Sequence, residues 1–107
     1  MVIHRFDIYL VRPGPTIGSE IRKVRPAVVV SPDEMNQHIR TVIIAPTTRK
    51  GRPYPTRVPC RLKGRAGQVV LDQIRAVDSS RLLRKVGRLS GETAGAVLSV
   101  LAEMFAP

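Results

Sequence analysis

The hydrophobic positions of this 107-residue chain fall into short runs separated by polar segments. Residues 5–11 alternate loosely between polar and apolar, and residues 27–30 are a continuous run of alanine and valine. Residues 41–45 and 56–60 show the same strand-like pattern of apolar residues, and the longest stretch with this pattern is residues 68–77. Alternation and β-branched runs of these lengths are typical of β-strands, so the pattern predicts a mainly β domain.

Helical spacing is found chiefly at the C-terminal end of the chain. Ser90 is a favourable N-cap, because a serine hydroxyl accepts a backbone N–H of the first turn. Apolar residues follow at the spacing of one helix face: Ala94, Val97, Leu98, Leu101 and Phe105. A second, much shorter helix is predicted after Ser31, with Ser31 as its cap and Pro32 in its first turn.

Segments rich in glycine and proline, at residues 12–25 and 46–55, are predicted to be long loops, and residues 63–67 a hairpin turn. The strands do not alternate with long helices, which argues against a doubly wound parallel sheet. We therefore predict one domain over residues 1–107, a small coiled antiparallel β-barrel covered by the C-terminal helix. So small a domain has a limited core, and dimerisation would bury a further face.

Charge adds an expected partner to this fold. The chain has 18 Lys and Arg residues against 8 Asp and Glu, for a net charge of +10, and only four of the basic residues are lysines. The guanidinium group of arginine matches phosphate oxygens with a planar fork of donors. This excess favours a polyanion, most simply nucleic acid, as the partner. The alternative is that the arginines reflect a GC-rich genome and only keep the protein soluble.

Several other functional classes lack the residues that they need. Cys60 is a single cysteine, which excludes an internal disulfide, and no Cys/His cluster has zinc spacing. The acidic residues are scattered, although Asp72 and Glu20 could meet in space, and His4 and His38 are interpreted as surface residues. No apolar run approaches the ~18–20 residues of a membrane span. We expect a cytoplasmic protein without metal, cofactor or membrane contact.

Polar residues stand at the ends of the predicted strands. Arg25 comes just before the alanine–valine strand, Thr48 follows the next strand, and Asp72 and Gln73 interrupt the longest apolar stretch. Each also has a structural interpretation: a solvated cation, a turn hydroxyl, and satisfied polar residues. Taken alone, these residues support only a basic β-barrel that binds nucleic acid.

The same positions carry a resemblance to a known family. The chain resembles the MazF/PemK family of bacterial toxin endoribonucleases, in order and spacing over nearly its whole length, at Gly18-Ser19-Glu20, residues 25–30, residues 45–48 and residues 72–75. The resemblance implies an SH3-like barrel, a homodimer, and metal-independent cleavage of single-stranded RNA at short sequence motifs. It also implies a cognate antitoxin whose acidic segment occupies the RNA groove.

By position, the family's catalytic pair falls on Arg25 and Thr48. The Arg25 guanidinium can stabilise charge on the phosphoryl oxygens, and the Thr48 hydroxyl can donate to the same oxygens. Glu20 is the candidate base for the attacking 2′-hydroxyl. The PemK/Kid branch has an arginine two residues before the aspartate of its Asp-Gln pair, where this chain has Val70, so the MazF-type pair is favoured.

Eight residues are expected to bind the RNA: Gly18, Ser19, Arg49, Arg52, Tyr54, Arg57, Asp72 and Gln73. The arginines would hold phosphates, which position a strand, whereas Asp72 and Gln73 would read base edges. Tyr54 either stacks on a base or packs in its loop. Two other functions stay open, a non-catalytic toxin resembling CcdB, which poisons DNA gyrase, and a basic RNA-binding module without activity.

Overall fold

The computed structural model of the chain describes residues 2–14 and 23–107. Its strands form one curled antiparallel sheet, in the spatial order β4-β5-β3-β2-β1-β7, with β6 also paired to β3. The strands are β1 (Asp7–Val11), β2 (Arg25–Val29), β3 (Thr41–Thr48), β4 (Arg57–Leu62), β5 (Arg65–Val70), β6 (Arg75–Asp78) and β7 (Leu82–Arg88). The helices are α1 (Asp33–His38) and α2 (Gly91–Met104), and 3-10 turns span Leu71–Gln73 and Ser79–Arg81. The predicted fold class, a mainly β chain with a C-terminal helix, is confirmed.

The predicted continuous strand over residues 68–77 is wrong, because the 3-10 turn Leu71–Gln73 divides it into β5 and β6. Both halves pair with β3, through Thr47↔Val69 and Ile44↔Arg75. Between these two pairs β3 advances three residues while the opposite chain advances six. The turn thus behaves as a large bulge, which buries Leu71 completely and leaves Asp72 and Gln73 exposed.

The hairpin between β4 and β5 is tight, as the sequence predicts. Its two central residues, Lys63 and Gly64, have φ angles of 51° and 79°. Positive φ at both positions is the geometry of a type I′ turn, whose twist matches that of the flanking strands. The ladder continues to the turn itself through the pair Leu62↔Arg65.

Helix α2 covers one side of the sheet. The Ser90 hydroxyl accepts the backbone N–H of Thr93 at 3.2 Å, which confirms the predicted cap. Val97 is fully buried on the predicted apolar face, whereas Leu98 is 39% exposed and Phe105, just after the helix, is 71% exposed. The sheet therefore covers only part of the apolar face that the sequence predicts. Among the described residues no helix has the length and hydropathy to cross a membrane.

Two further boundaries differ from the sequence prediction. Pro32, rather than Ser31, is the N-cap of α1, and it makes no side-chain capping bond. The Ser31 hydroxyl instead accepts the Ile43 N–H at 3.0 Å and so ties the start of α1 to β3. Strand β3 continues through Thr48 instead of ending at residue 45. Its last residues pair with β5, Thr47 with Val69 and Thr48 with Gln68, and the Thr47 hydroxyl also donates across the sheet to the Pro26 carbonyl at 3.0 Å.

Candidate active site

Arg25 and Thr48 lie at the adjacent ends of two neighbouring strands. Strand β2 pairs antiparallel with β3, and continuing its register by two residues sets Arg25 opposite Thr48. The bond from Thr47 Oγ1 to Pro26 O supports this continuation. Directly opposed residues of an antiparallel pair project from the same face of the sheet. Their side chains are therefore neighbours in space.

Both residues line one groove of about 800 Å³. Part of its surface is apolar, with Ile8 and Leu10 of β1 and Val86 of β7. The remainder is strongly basic, with Arg25, Arg49, Lys50, Arg61, Lys63 and Arg88. None of the described lining residues is acidic. A groove lined by one sign of charge concentrates field lines and attracts a polyanionic chain.

The Thr48 hydroxyl is engaged by its own loop. It donates to the Lys50 carbonyl at 2.7 Å and accepts the Lys50 N–H at 3.3 Å. This local turn holds the hydroxyl at the end of β3. Because a hydroxyl has one proton and two lone pairs, it can turn the proton to another acceptor while still accepting from Lys50.

A second cluster of polar residues surrounds Asp72. Its Oδ1 accepts a hydrogen bond from Thr56 Oγ1 at 2.9 Å and one from Arg57 Nε at 3.3 Å. The Arg57 guanidinium carbon lies 5.0 Å from the centroid of the Tyr54 ring, within range of a cation–π contact. The bonds from Arg57 and Thr56 hold the pKa of the Asp72 carboxyl below its ordinary value. Asp72 is therefore ionised at neutral pH.

The structure divides the predicted site residues into three groups. Arg25, Thr48 and Arg49 line the groove together. Five others lie outside its lining: Arg52, Tyr54, Arg57, Asp72 and Gln73. Gly18, Ser19 and Glu20 lie outside the described residues, and so does the suggested meeting of Glu20 with Asp72. Gln68 lies between the first two groups, since it is paired with Thr48 and its Nε2 donates to the Arg52 carbonyl at 3.2 Å.

Sequence reasoning missed four of the six described basic residues that line the groove, Lys50, Arg61, Lys63 and Arg88, and Arg88 is the one with a buried partner. Its Nη1 donates to Asp7 Oδ1 at 2.9 Å. The Asp7 side chain is completely buried and also lies 3.1 Å from Lys85 Nζ. The signal was present in the sequence, because a carboxylate inside an apolar strand needs a cationic partner. What the sequence could not show is which of the 18 basic residues provides it.

The histidine, cysteine and acidic side chains were the candidate metal ligands, and those described do not form a metal site. Within residues 2–14 and 23–107, no three His, Cys, Asp or Glu side chains come together to hold a metal ion. Cys60 is buried, and burial raises the pKa of its thiol. His4 and His38 are both exposed, as predicted, and neither lines the groove.

Comparison with known proteins agrees with this geometry. The model of one family, described as PemK-like, MazF-like toxin of type II toxin-antitoxin system, matches residues 4–105. This chain belongs to that family. Endoribonuclease EndoA of Bacillus subtilis (strain 168) is 34% identical to this MazF/PemK chain over an alignment of 98 residues, with 86% of this chain and 84% of EndoA covered. The family resemblance found in the sequence is confirmed.

Solved structures give the same fold. MazF in a MazE-MazF crystal structure (Form-II) from Deinococcus radiodurans superposes with a TM-score of 0.83 at 24% identity, covering 97% of this chain and 96% of that one. An endoribonuclease in complex with its cognate antitoxin, from a Mycobacterial species, has a TM-score of 0.81 at 22% identity and covers 98% and 97%. The curled sheet with its C-terminal helix is thus the MazF fold.

Proposed function

We propose that this MazF/PemK family member is the toxin of a type II toxin-antitoxin system and that it cleaves single-stranded RNA without a metal. The observation that carries this proposal is the position of Arg25 and Thr48, side by side in a basic groove. The relative EndoA, 34% identical to this chain, is named an endoribonuclease, which supports the same activity here.

The proposed reaction is a transfer of the phosphoryl group within the RNA. The ribose 2′-oxygen attacks phosphorus, the bond from phosphorus to the 5′-oxygen breaks, and a 2′,3′-cyclic phosphate and a 5′-hydroxyl result. Charge grows on the phosphoryl oxygens as this happens. Arg25 can bind two of these oxygens with its fork, and the attraction strengthens with the growing charge. An arginine has a pKa above ~12, so it enters the reaction protonated and is a poor base.

The other groups then have distinct tasks. The Thr48 hydroxyl turns its proton from the Lys50 carbonyl to a phosphoryl oxygen and adds a donor beside Arg25. Glu20, which only the sequence indicates, accepts the 2′-proton as the base. Proton donation to the leaving 5′-oxygen is assigned to Arg25 as its second role.

The partners follow from the same surfaces. An acidic antitoxin segment would compete with RNA for the basic groove, and related MazF proteins have been crystallised with MazE or with a cognate antitoxin. Leu98, exposed on α2, and Phe105, exposed just after it, offer an apolar surface to a second copy of the chain in a homodimer. All residues from 1 to 107 are assigned to this one domain, and the cytoplasm, where RNA is found, is its proposed place of action.

The decisive experiment is incubation of the purified protein with a long RNA in EDTA, followed by mapping of the new 5′ ends. We expect cleavage at a short recurring sequence, with 5′-hydroxyl and cyclic-phosphate ends. Binding without cleavage would instead identify an RNA-binding module, and inhibition of DNA gyrase with RNA intact would identify a CcdB-like toxin. Cleavage that stops in EDTA and returns with Mg²⁺ would contradict the metal-independent reaction.

A further inference from the structure

Arg57 is fixed in place by its neighbours to an unusual degree for an arginine near the surface. Its Nε and Nη2 donate to the two oxygens of Asp72, at 3.3 Å and 3.5 Å. One face of its guanidinium lies over the Tyr54 ring. Asp72 is fixed in turn by the Thr56 hydroxyl at 2.9 Å. The Arg57 side chain is only 17% exposed, so its guanidinium is oriented before any ligand arrives.

One edge of this guanidinium remains available. Asp72 occupies the edge formed by Nε and Nη2, which leaves Nη1 and the outer hydrogen of Nη2. Among the described residues, the only buried side-chain polar atom without a partner is Gln68 Oε1. Nη1 of Arg57, which has no described partner, therefore reaches solvent. This edge carries two parallel donors that Asp72 does not use.

Charge indicates what these donors would bind. Apart from Arg88, which pairs with the buried Asp7, the cations that line the groove have no carboxylate partner among the described residues, as suits sites that hold phosphates. Arg57 differs, because the adjacent Asp72 carboxylate cancels its charge and would repel a phosphate placed next to it. A neutral base meets no such repulsion. The cluster is therefore better suited to a base edge than to the backbone.

Guanine is the base whose edge fits best. It carries two adjacent acceptors, O6 and N7, which a guanidinium fork binds in the commonest specific arginine contact to a base. Adenine has an amino donor beside its N7, which would face the donors of Arg57. We propose that Arg57, oriented by Asp72 and Tyr54, binds the O6 and N7 atoms of a guanine in the RNA substrate. This inference rests on the proposed endoribonuclease function and replaces the phosphate contact that the sequence suggested for Arg57.

The register places this cluster at a suitable distance from the cleavage site. Thr48 is opposite Gln68, Gln68 is opposite Pro59, and Arg57 is two residues from Pro59 on the same face. Strands are about 4.8 Å apart and rise about 3.3 Å per residue, so Arg57 lies about 10 Å across the sheet and about 7 Å along it from Thr48. An extended single strand with its scissile phosphate at Thr48 can reach it with a nearby base.

The test replaces one atom of the base. A short RNA containing one mapped cleavage site is made with guanosine, and again with 7-deazaguanosine, which lacks the N7 acceptor, at each guanine near the scissile bond. For the wild-type protein we expect kcat/KM to fall roughly tenfold or more at one of these positions, the range of a lost bidentate contact.

Arg57→Lys keeps the charge without the fork, and we expect it to cleave both RNAs at the same rate. Asp72→Asn should reduce the discrimination by releasing Arg57, while Tyr54→Phe should retain it.

Matched variants separate a base contact from a phosphate contact. Arg61→Ala removes a cation of the groove and should slow cleavage of both RNAs equally. Two results would overturn the proposal and leave the endoribonuclease function intact. One is that Arg57→Lys or Arg57→Ala slows both RNAs by the same factor, so that the wild-type ratio between the two rates persists. The other is that the wild-type protein cleaves the guanosine and 7-deazaguanosine RNAs equally well at every position. Affinities for the same RNAs, measured by fluorescence anisotropy at fixed salt, give the same comparison without cleavage. If the wild-type protein cleaves no RNA, the proposed endoribonuclease function is contradicted, while the affinities still test the base contact.

Discussion

The hydroxyl of Thr48 donates its proton to the carbonyl of Lys50, 2.7 Å away, instead of into the basic groove. The proposed reaction therefore requires the proton to turn toward the phosphate, at the expense of one hydrogen bond. The bond from the Lys50 N–H to Thr48 Oγ1, at 3.3 Å, can persist during that rotation. RNA binding and the release of this local turn are thus coupled in the proposed mechanism.

This coupling makes Thr48 testable with two substitutions. Thr48→Val keeps the branched shape and removes the hydroxyl, so we expect kcat to fall about 100-fold, the lower range for a lost oxyanion donor. Thr48→Ser keeps the hydroxyl, so its kcat should remain within about tenfold of the wild-type value. Single-turnover cleavage of a short RNA measures both. Equal rates for valine and wild type would remove Thr48 from the mechanism.

Arg25 is expected to be the more sensitive residue. Arg25→Ala should lose most of the cleavage, about 1,000-fold or more if it provides both charge and fork. Arg25→Lys should not restore it, because an ammonium cannot bind two oxygens in a plane. Arg40→Ala is the matched control, since it also removes one positive charge, but from an 83% exposed side chain just before the opposite end of β3. Comparable losses in the alanine variants of Arg25 and Arg40 would indicate general electrostatics rather than catalysis.

The strands and the C-terminal helix could be predicted because their causes are local. Alternation, β-branched runs, the Ser90 cap and the glycine in the β4–β5 turn each act within a few residues. The bulge at Leu71–Gln73 could not be predicted in this way. It depends on how residues 69 and 75 pair with β3, which is remote in sequence, and an apolar run looks the same whether or not three residues leave the sheet.

The site shows the same limit. Arg25 and Thr48 were singled out by their places at strand ends, but only the family resemblance gave them a joint role, and only the register brings them together. The pairing of Arg57 with Asp72 joins residues 15 positions apart, and that of Arg88 with Asp7 joins residues 81 apart. Such ion pairs depend on topology, so composition reveals an excess of arginine without revealing its partners.

Asp7 is expected to contribute to stability. Its buried carboxylate accepts from Arg88 and from the backbone N–H of His4, and it lies next to Lys85. Asp7→Asn keeps the shape but leaves two cations facing each other, so we expect a loss of roughly 2–4 kcal/mol in the free energy of unfolding. Lys85→Met should cost less than about 1 kcal/mol, because Lys85 is half exposed and Arg88 still pairs with Asp7. Urea denaturation followed by circular dichroism measures both, and an Asp7→Asn protein as stable as wild type would contradict this account.

Gly51 is expected to be required by its neighbour Gln68. A Cβ at residue 51 would overlap Gln68 Oε1 and approach Thr48 Cγ2 to 3.2 Å. Gln68 cannot move away freely, because its Nε2 holds the Arg52 carbonyl at 3.2 Å. We expect Gly51→Ala to lose about 1 kcal/mol of stability, the value of one hydrogen bond, and to slow cleavage by displacing the loop that holds Thr48.

The double variant decides whether this contact is the cause. Gln68→Ala removes the obstructing atom and orphans no donor, since Gln68 Oε1 has no partner in the described structure, and the Arg52 carbonyl still accepts the Tyr54 N–H at 2.8 Å. In that background Gly51→Ala should cost almost nothing in stability or in cleavage rate, so the two substitutions should be strongly non-additive. Thermal unfolding and single-turnover cleavage of the four proteins complete the cycle. Additive effects would show that Gly51 is needed for its backbone conformation, and not for the space that Gln68 occupies.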